Sequence, residues 1–589
     1  MSTMTGNADD NTSAKTWIKR RFSATTVLEI VLVVYLIVFV VMPLISLILS
    51  TFENKGVDSW IAVFSSNIAK NLFWIPFKNT LIIGIVVSIG AILLGGFMAW
   101  LVVMTDVPGR GFLGTLASFP YMLPGFAIAL AWASLFRNER LGGIAGFLTN
   151  WGITIPDWLA WGVIPIMITM IFHYYSLAYN LIGASMASIN SELVEAAEMT
   201  GAKRFGILRQ IILPVVSPSI TSSLLLIFGT SIANFASPAL LGMPVRYYTL
   251  STRLYGTIRT GQMGRGYIIA LVMIVAATTL LLVNEKLKKS RFSFATLTGK
   301  GSRQKRQSLG KWRWPCYCIA LLIVTVTTIL PGITLFLASI TRYTNSLRGG
   351  LTSHFWFGES VANIADGIPG LFRNPEIISA AKNSFLLGLI GGIIAVMLGL
   401  AIGYITNKSQ HRGMRSLIAI FSYIPMLIPS IAFGAIYIVQ FGRPFGPFPA
   451  LYGTFALLVL AGVAHTLPFA SQAGRAALSQ VSAELEEASV VVGAGLFKRL
   501  KDIYMPLVSG PLLSGAINVF VKLARDLSLM IMLVTPTISL LSVKSFQYSS
   551  EGFAQLSNAV TLVVSVISVS ATVLVHYFNR KSQPWLVKG

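Results

Sequence analysis

The sequence predicts an all-α, polytopic membrane protein, and three observations support this fold class. The chain has 589 residues, of which 54% are hydrophobic and only 11% are charged, whereas a soluble protein carries about 25% charged residues. Many apolar runs exceed the roughly 20 residues that cross a hydrocarbon core as a helix. Because backbone polar groups in lipid must be satisfied within the spanning segment, helices are the expected elements at this run length.

Apolar runs bounded by charge, glycine and proline predict about twelve transmembrane helices in two sets of six. The first set covers residues 26–50, 79–104, 112–136, 159–183, 216–240 and 264–285. The second set covers residues 315–340, 381–406, 415–440, 453–477, 509–533 and 557–579. The first run is too long for a cleavable signal and lacks a small-residue cleavage site, so we expect a retained span.

Basic residues between the two sets of spans predict the orientation of the chain. The linker 286–314 contains ten Lys and Arg residues and no acid, which favours the cytoplasmic side, as do the basic residues of the tails 1–25 and 580–589. With both tails and the linker inside, each half crosses an even number of times, as six and six do. The net charge of +24 is therefore expected to meet anionic lipid headgroups and no nucleic acid.

The two membrane domains, residues 26–285 and 315–579, repeat one another. FPYMLPGFAIALA in the third span matches YIPMLIPSIAFGA in the ninth, so that the prolines at 120 and 124 align with those at 425 and 429 at an offset of 305. KNT at 78–80 and KNS at 382–384 open the matching second spans. Two six-helix units of the same orientation form a parallel repeat, and the pathway is expected at their interface. The paired prolines either kink their helices there or are simply tolerated within the bundle.

A charged segment lies between the fourth and fifth spans of each half, which the topology places in the cytoplasm. EAAEMTGAKRFGILRQIILP begins at residue 195, and EASVVVGAGLFKRLKDIYMP begins 292 residues later. Asn190 and Ser482 are suitable N-caps for a short helix, and Gly201 and Gly493 are suited to end it through a left-handed turn. Each segment is therefore predicted to be a helix–Gly–helix element with an apolar side free to dock.

These two segments resemble the EAA signature of binding-protein-dependent ABC importer permeases, in which EAA, Gly, Ile and Leu-Pro recur at fixed spacing. The first copy matches at Glu195, Ala196, Ala197, Gly201, Ile211, Leu213 and Pro214. The second copy matches at Glu487, Ala488, Gly493, Ile503 and Pro506, with Ser489 and Met505 where Ala and Leu are usual. In that family the segment is the coupling helix, which lies in a groove of the ATPase subunit.

The resemblance implies a non-catalytic transport subunit that works with other chains. Two copies of a cytoplasmic ABC ATPase would bind ATP and Mg²⁺, and a periplasmic or extracellular substrate-binding protein would deliver the cargo. The sequence itself contains no GxxxxGK[ST] phosphate loop, so this chain has no evident means of holding ATP. No cofactor is expected on this chain.

Two further stretches resemble the ferric-iron transport group within this family. They are NFASPALLG at 234–242 and KLARDLSLMIMLVTP at 522–536, with Asp526 where Glu is usual. The resemblance implies two fused type I permease domains in a bacterial inner membrane, with both termini cytoplasmic and ferric iron as cargo. Relatives of the group move phosphonates, sugar phosphates, thiamine, sulfate or polyamines, and these cargoes stay open.

Charged residues within the eleventh span are candidates for the translocation pathway. Lys522, Arg525 and Asp526 fall inside a run where each charge costs roughly 2.5–3.5 kcal/mol, so they should face a cavity or a partner. Lys522 and Asp526 are spaced i,i+4 and are expected to pair on one helical face. Asn234 is the equivalent of Asp526 in the first half. Two interpretations stay open: a face lining the pathway or its outer gate, and a structural ion pair between helices.

The histidines, the cysteines and the arginines of the outer loops give weaker indications of function. His173, His354, His411 and His465 make no metal site by spacing, and no metal is expected; Cys316 and Cys318 are interpreted as small apolar residues. Arginines 246, 253, 259 and 265 in outer loops are either solvated or meet an acidic patch on the binding protein. An ion-coupled secondary transporter also has two six-helix halves, but that class gives no reason for paired EAA–Gly–Pro loops.

Overall fold

The computed structural model describes residues 24–582 except 54–55, 142–143, 190–194, 196, 198, 202–203, 290–305, 410 and 448. Nearly all regular structure in these residues is helical, and the two described strands form one antiparallel hairpin. The predicted all-α class is therefore confirmed.

The first half of the described chain consists of fourteen α-helices, several of which are parts of one span. They are α1 (Ala24–Leu36), α2 (Met42–Ser50), α3 (Gly56–Phe64), α4 (Ile75–Ala99), α5 (Arg110–Ser118), α6 (Ala127–Phe136), α7 (Phe147–Asn150), α8 (Asp157–Ala160), α9 (Val163–Ala187), α10 (Arg204–Ile207), α11 (Leu213–Ala233), α12 (Ala236–Leu241), α13 (Leu250–Arg259) and α14 (Met263–Lys289).

The second half repeats this order and adds the hairpin after its first span. Its elements are α15 (Arg313–Val324), α16 (Leu330–Ile340), β1 (Thr341–Tyr343), β2 (Ser346–Leu351), α17 (His354–Phe357), α18 (Pro375–Lys408), α19 (Arg412–Tyr423), α20 (Ser430–Phe441), α21 (Phe455–Leu478), α22 (Ala483–Val491), α23 (Leu496–Arg499), α24 (Met505–Arg525), α25 (Leu527–Leu533), α26 (Leu541–Glu551) and α27 (Ala554–Ser582).

All twelve predicted spans are helical, but not all are single long helices. Within the described residues, nine helical segments are long and apolar enough to cross a membrane, and the bent pair Arg412–Leu427 and Ser430–Phe441 makes a tenth. The remaining two predicted spans correspond to shorter apolar helices, Ala127–Phe136 and Met263–Thr279. The predicted polytopic architecture is confirmed.

Four spans predicted as continuous are broken, and the breaks fall at equivalent places in the two halves. The third span is interrupted between α5 and α6, and the ninth bends by 111° between its two helices. The fifth and eleventh end early, at Ala233 and Arg525, and a short new helix follows each. In the third and ninth spans the helix is interrupted by prolines, which have no amide hydrogen. In the fifth and eleventh spans, capping side chains redirect the chain. Apolar composition continues through the breaks in the third and ninth spans, so hydropathy gives no sign of them, whereas charged residues, Arg525 and Asp526, lie at the break in the eleventh.

Prolines also explain most of the π-helical turns that the structure describes. Five of these six turns end two residues before a proline, at Pro43, Pro76, Pro214, Pro331 and Pro506. A proline ring clashes with the carbonyl four residues earlier and offers no amide hydrogen. A widened turn relieves this clash while the helix continues.

Glycines at equivalent positions allow the second and fourth spans of each half to approach closely. A Cβ atom on Gly95 in α4 would lie 2.4 Å from the carbonyl oxygen of Tyr175 in α9. A Cβ atom on Gly399 in α18 would lie 2.2 Å from the carbonyl oxygen of Ala470 in α21. Close backbone approach at small residues is a typical means of helix association in membranes.

The first helix of each half packs against the other half. Glu29 of α1, buried at 1% exposure, accepts a hydrogen bond from the Ser409 hydroxyl at 2.5 Å and lies 3.0 Å from His411. Thr328, in the first span of the second half, donates a hydrogen bond to the carbonyl of Leu116 in the first half at 3.2 Å. The two halves are therefore interlocked, and the interface between them runs through the middle of the bundle.

Candidate functional site

The second charged segment is the helix–Gly–helix element that the sequence predicts. Helix α22 (Ala483–Val491) begins directly after Ser482, and Gly493 follows it with φ of +78°. The four-residue helix α23 then leads through the π-helical turn Leu500–Tyr504 into α24. Glycine adopts this left-handed conformation without the strain that a Cβ atom adds, so the predicted turn is confirmed.

The first charged segment has the same geometry where the structure describes it. Gly201 has φ of +80°, helix α10 follows, and the π-helical turn Leu208–Ile212 leads into α11. The predicted N-cap Asn190 and the signature residue Ala196 lie outside the described residues. Both copies thus share a left-handed glycine and a π-helical exit at the same offset of 292.

Each segment exposes an apolar tip beside its glycine. Met199 is 89% exposed and Val491, its equivalent, is 87% exposed, as is the neighbouring Val492 at 86%. The small signature residues lie on the inner side: Ala197 packs against the core, and Ser489 is buried. The two segments therefore present exposed apolar side chains at matched positions.

The remaining signature residues lie along the exit of each segment. Glu195 and Glu487 begin the signature spacing within helical backbone, and Ala488 is exposed. Ile211 and Ile503 are half-buried in the π-helical turns, while three residues at the start of the following spans are exposed, namely Leu213, Pro214 and Pro506.

The end of the linker is anchored beside the first segment. The backbone amide of Leu309 donates to Asp106 at 2.9 Å, and Gln307 pairs with Thr105 in a short parallel bridge. A cavity of about 440 Å³ lies between Leu208 and Ile212 of the segment's exit and this stretch of linker. The first segment, the linker and the loop after the second span therefore meet at one end of the bundle.

Asn234 and Asp526 occupy equivalent structural positions, as the sequence predicts. Each side chain accepts a hydrogen bond from the backbone amide three residues further on, at 3.1 Å and 3.0 Å, and so begins a new short helix. Each backbone carbonyl accepts from a serine hydroxyl, Ser251 at 2.8 Å and Ser542 at 3.4 Å. Asp526 is the N-cap of α25, and Asn234, which directly precedes the N-cap Phe235 of α12, makes the equivalent capping hydrogen bond.

The predicted Lys522–Asp526 pair was wrong. Between these two described residues there is no ion pair within 4 Å, because helix α24 ends at Arg525 and Asp526 turns away with ψ of 107°. The Asp526 carboxylate instead lies 3.8 Å from Nε2 of His465. The Lys522 ammonium lies over the ring of Phe469, 3.6 Å from its centroid.

Arg525 connects the break in the eleventh span to the break in the third. Its guanidinium donates to the carbonyl of Tyr121 at 2.6 Å and lies 5.5 Å from the centre of the Tyr121 ring. Tyr121 in turn packs beside His173, with ring centroids 5.6 Å apart. This guanidinium thereby joins the two halves at the proline-rich turn of the first.

A cavity of about 140 Å³ lies between the two halves at these breaks. The first half contributes α11, from Leu225 to Ala233, and the second contributes the turn 425–430. Ala277, His465, Phe469 and Lys522 complete the described lining. Of the four predicted pathway residues, only Lys522 lines this cavity; the other three hold the breaks that shape it.

Sequence reasoning missed the paired histidines, although a signal was present. His173 and His465 differ by the same 292 residues as the charged segments, so a search for repeated polar residues within spans finds them. Nε2 of His465 lies 3.1 Å from the Ser430 hydroxyl, at the bend of the ninth span. Among the described residues, no three His, Cys, Asp or Glu side chains are grouped so as to hold a metal ion.

Three of the outer-loop arginines pack against their own neighbours. Arg253 lies 3.7 Å from the ring centre of Tyr248, and Arg259 lies 5.7 Å from that of Tyr255. Arg265 donates to Gln262 at 2.9 Å. These contacts account for part of the basic run without a partner protein.

Comparison with known proteins shows which protein family and which relatives this chain is similar to. The family model described as binding-protein-dependent transport system inner membrane component matches the chain twice, at residues 91–291 and 376–583. The putative ferric transport system permease protein FbpB 1 of Haemophilus influenzae is 25% identical over 531 residues, which cover 87% of this chain and 78% of the relative. The ferric transport system permease protein FbpB of Actinobacillus pleuropneumoniae is 24% identical over 530 residues, covering 87% and 72%.

A shorter relative matches only part of the chain. The sulfate transport system permease protein CysT of Salmonella typhimurium is 26% identical over 260 residues, which cover 44% of this chain and 90% of that protein. A permease of this length corresponds to one of the two repeats. The chain therefore belongs to the family of binding-protein-dependent transport system inner membrane components, with two permease units of an ABC importer fused in one polypeptide.

Proposed function

We propose that this permease takes ferric iron from an external binding protein and passes it inward by alternating access. Support comes from the two ferric transport permeases that match 87% of the chain. The sulfate permease matches 44% of the chain at similar identity, so import of another ion by the same mechanism is the second candidate. Family membership gives no support to the ion-coupled secondary transporter.

The observation that carries the mechanism is the matched geometry of the two charged segments. A left-handed glycine and an exposed apolar residue recur at the same offset in both, at Gly201 with Met199 and at Gly493 with Val491. We infer that each segment docks on one cytoplasmic ATPase subunit. Closure of the two ATPases on ATP and Mg²⁺ would then pull both segments together and shift the equilibrium between inward- and outward-facing states, as differential contacts in two states require.

The orientation follows from charge. The basic linker 286–314 and the basic tails 1–25 and 580–589 favour the cytoplasmic face of a bacterial inner membrane, where the linker also meets anionic lipid. The hairpin formed by β1 and β2 is separated from the linker by one span, so it lies on the periplasmic or extracellular side. The substrate-binding protein would dock on that side, where Arg246 and the other outer-loop arginines lie.

The pathway would follow the interface between the permease domains 26–285 and 315–579. Asn234, Arg525 and Asp526 shape the breaks there, and Lys522 lines the cavity between the halves. Helix breaks at equivalent points of two repeats are where transporters commonly place substrate sites. Small rotations of one half against the other would open this interface toward one side at a time.

Co-purification tests the coupling mechanism. Tagged permease should retain its ATPase subunits through purification, and the double variant Glu195→Lys plus Glu487→Lys should lose them, because both substitutions reverse charge within the docking segments. The matched control is Glu139→Lys plus Glu551→Lys, which makes the same charge change at exposed positions outside the segments. Uptake that proceeds normally without any ATPase would refute the proposal.

The cargo is tested on the binding protein. The binding protein that co-purifies with the permease should carry its native ligand, which metal analysis and mass spectrometry identify. Stoichiometric iron is the expected result. An organic ion or sulfate in place of iron would replace ferric import with the second candidate.

A further inference from the structure

The cavity between the halves carries charge of one sign. Its described lining is apolar or neutral except for Lys522, and no carboxylate belongs to it. Asp526, four residues further on, uses one oxygen to cap α25 and directs the other toward His465. Lys522 is therefore the one charged side chain in the described lining of the cavity between the two permease domains.

The Lys522 ammonium has hydrogen-bond donors that are available to bind a ligand. Within the described residues it makes no hydrogen bond and no ion pair, and its contact is with the face of the Phe469 ring at 3.6 Å. An ammonium group has three donors, and a charge held within a membrane span needs a partner or a water-filled space. Thr230, His465 and Ser430, whose hydroxyl contacts His465, are the other polar residues of the same lining.

We propose that this cavity is a transient binding site for an anion, so that cargo crosses the half interface either as an oxyanion or as a negatively charged complex of ferric ion. The inference rests on the proposed function and specifies the charge of its cargo. A bare trivalent cation would be repelled by the Lys522 ammonium in a medium of low dielectric constant, whereas an anion is attracted. At about 140 Å³ the cavity has roughly the volume of four or five waters at about 30 Å³ each, which suits a small ion.

The site is asymmetric, and this asymmetry provides a test. Thr230 in the first half is the counterpart of Lys522 at the offset of 292, and it lines the same cavity from the opposite wall. The double variant Lys522→Thr plus Thr230→Lys therefore moves the positive charge across the cavity without changing its composition. A site that needs positive charge in the cavity should tolerate this exchange better than loss of the charge.

The experiment uses the complete transporter, with ATPase and binding protein, in proteoliposomes. Uptake of radiolabelled ferric ion is measured in the presence and absence of labelled inorganic phosphate, and uptake of labelled sulfate is measured separately. Each uptake value is divided by the amount of ATP hydrolysed. Lys522→Met should lower uptake per ATP at least tenfold, Lys522→Arg should retain it, and the charge exchange should recover at least a third of it. Lys382→Met removes the same charge from an exposed position of the same half and should leave the ratio unchanged.

The outcomes separate the inference from the function on which it rests. Entry of an oxyanion alone, or of iron together with the labelled anion, supports an anionic cargo and identifies its source. Equal or faster uptake per ATP by Lys522→Met, or entry of iron without an anion, overturns the anion site while leaving ABC import intact. Wild-type uptake that does not depend on ATP refutes the proposed function itself.

Discussion

The exposed apolar tips of the two coupling segments give the sharpest prediction. Met199 and Val491 are 89% and 87% exposed in the permease alone, so nearly their whole side chains are free to be buried by a partner. Burying a side chain of this size contributes about 1.5–3 kcal/mol. Replacing one of them with serine should weaken the permease–ATPase complex by this amount, which corresponds to roughly 10- to 100-fold in Kd.

The assay is equilibrium binding of purified ATPase subunits to permease in nanodiscs, measured for Met199→Ser, Val491→Ser and the double variant. Leu351→Ser is the control, because Leu351 is 62% exposed in the hairpin at the other end of the first span of its half. The control should bind as the wild type does. Unchanged ATPase affinity in the double variant, in permease that is folded and inserted, would refute the assignment of these tips as docking contacts.

Three further predictions concern the scaffold around these sites. Gly399→Ala should lower the thermal stability of the permease, because a Cβ atom there meets a backbone carbonyl at 2.2 Å and overpacking costs about 1–3 kcal/mol; Gly332→Ala, which meets nothing within 4 Å, should not. Glu29→Ala should expose the first helix to proteolysis, because it leaves the Ser409 hydroxyl without its buried partner at a cost of about 1–3 kcal/mol. Asp526→Asn should assemble normally in membranes while Asp526→Ala assembles poorly, because asparagine keeps the cap and alanine loses about 1 kcal/mol; equal assembly of both variants would contradict the capping role.

Much of the architecture follows from repeated residues in the sequence. The offset of 292 relates the two left-handed glycines, the two π-helical turns and the caps Asn234 and Asp526, all of which the structure brings to equivalent positions. Local signals of this kind depend on near neighbours in the chain. Capping, a left-handed turn and proline strain are settled within a few residues, so a single sequence is sufficient to predict them.

Features that depend on distant parts of the chain were not predictable in this way. The docking of Glu29 on Ser409 joins residues 380 positions apart, and hydropathy carries no information about which half a span contacts. The helix break at Ala233 lies inside a largely apolar run, and the break at Arg525 lies beside charges that the sequence predicts to lie within one continuous span. The expected pair between Lys522 and Asp526 assumed an unbroken helix, and it failed because the helix ends between them.

The central claim is that one polypeptide provides both docking segments of an ABC importer. Native mass spectrometry of the complex released from membranes measures this directly, because it counts the ATPase subunits bound to each permease chain. We expect one permease with two ATPase subunits, falling to one ATPase subunit when either Gly201 or Gly493 is replaced by proline. A wild-type complex with a single ATPase subunit, or an ATPase count that neither substitution changes, would contradict the central claim.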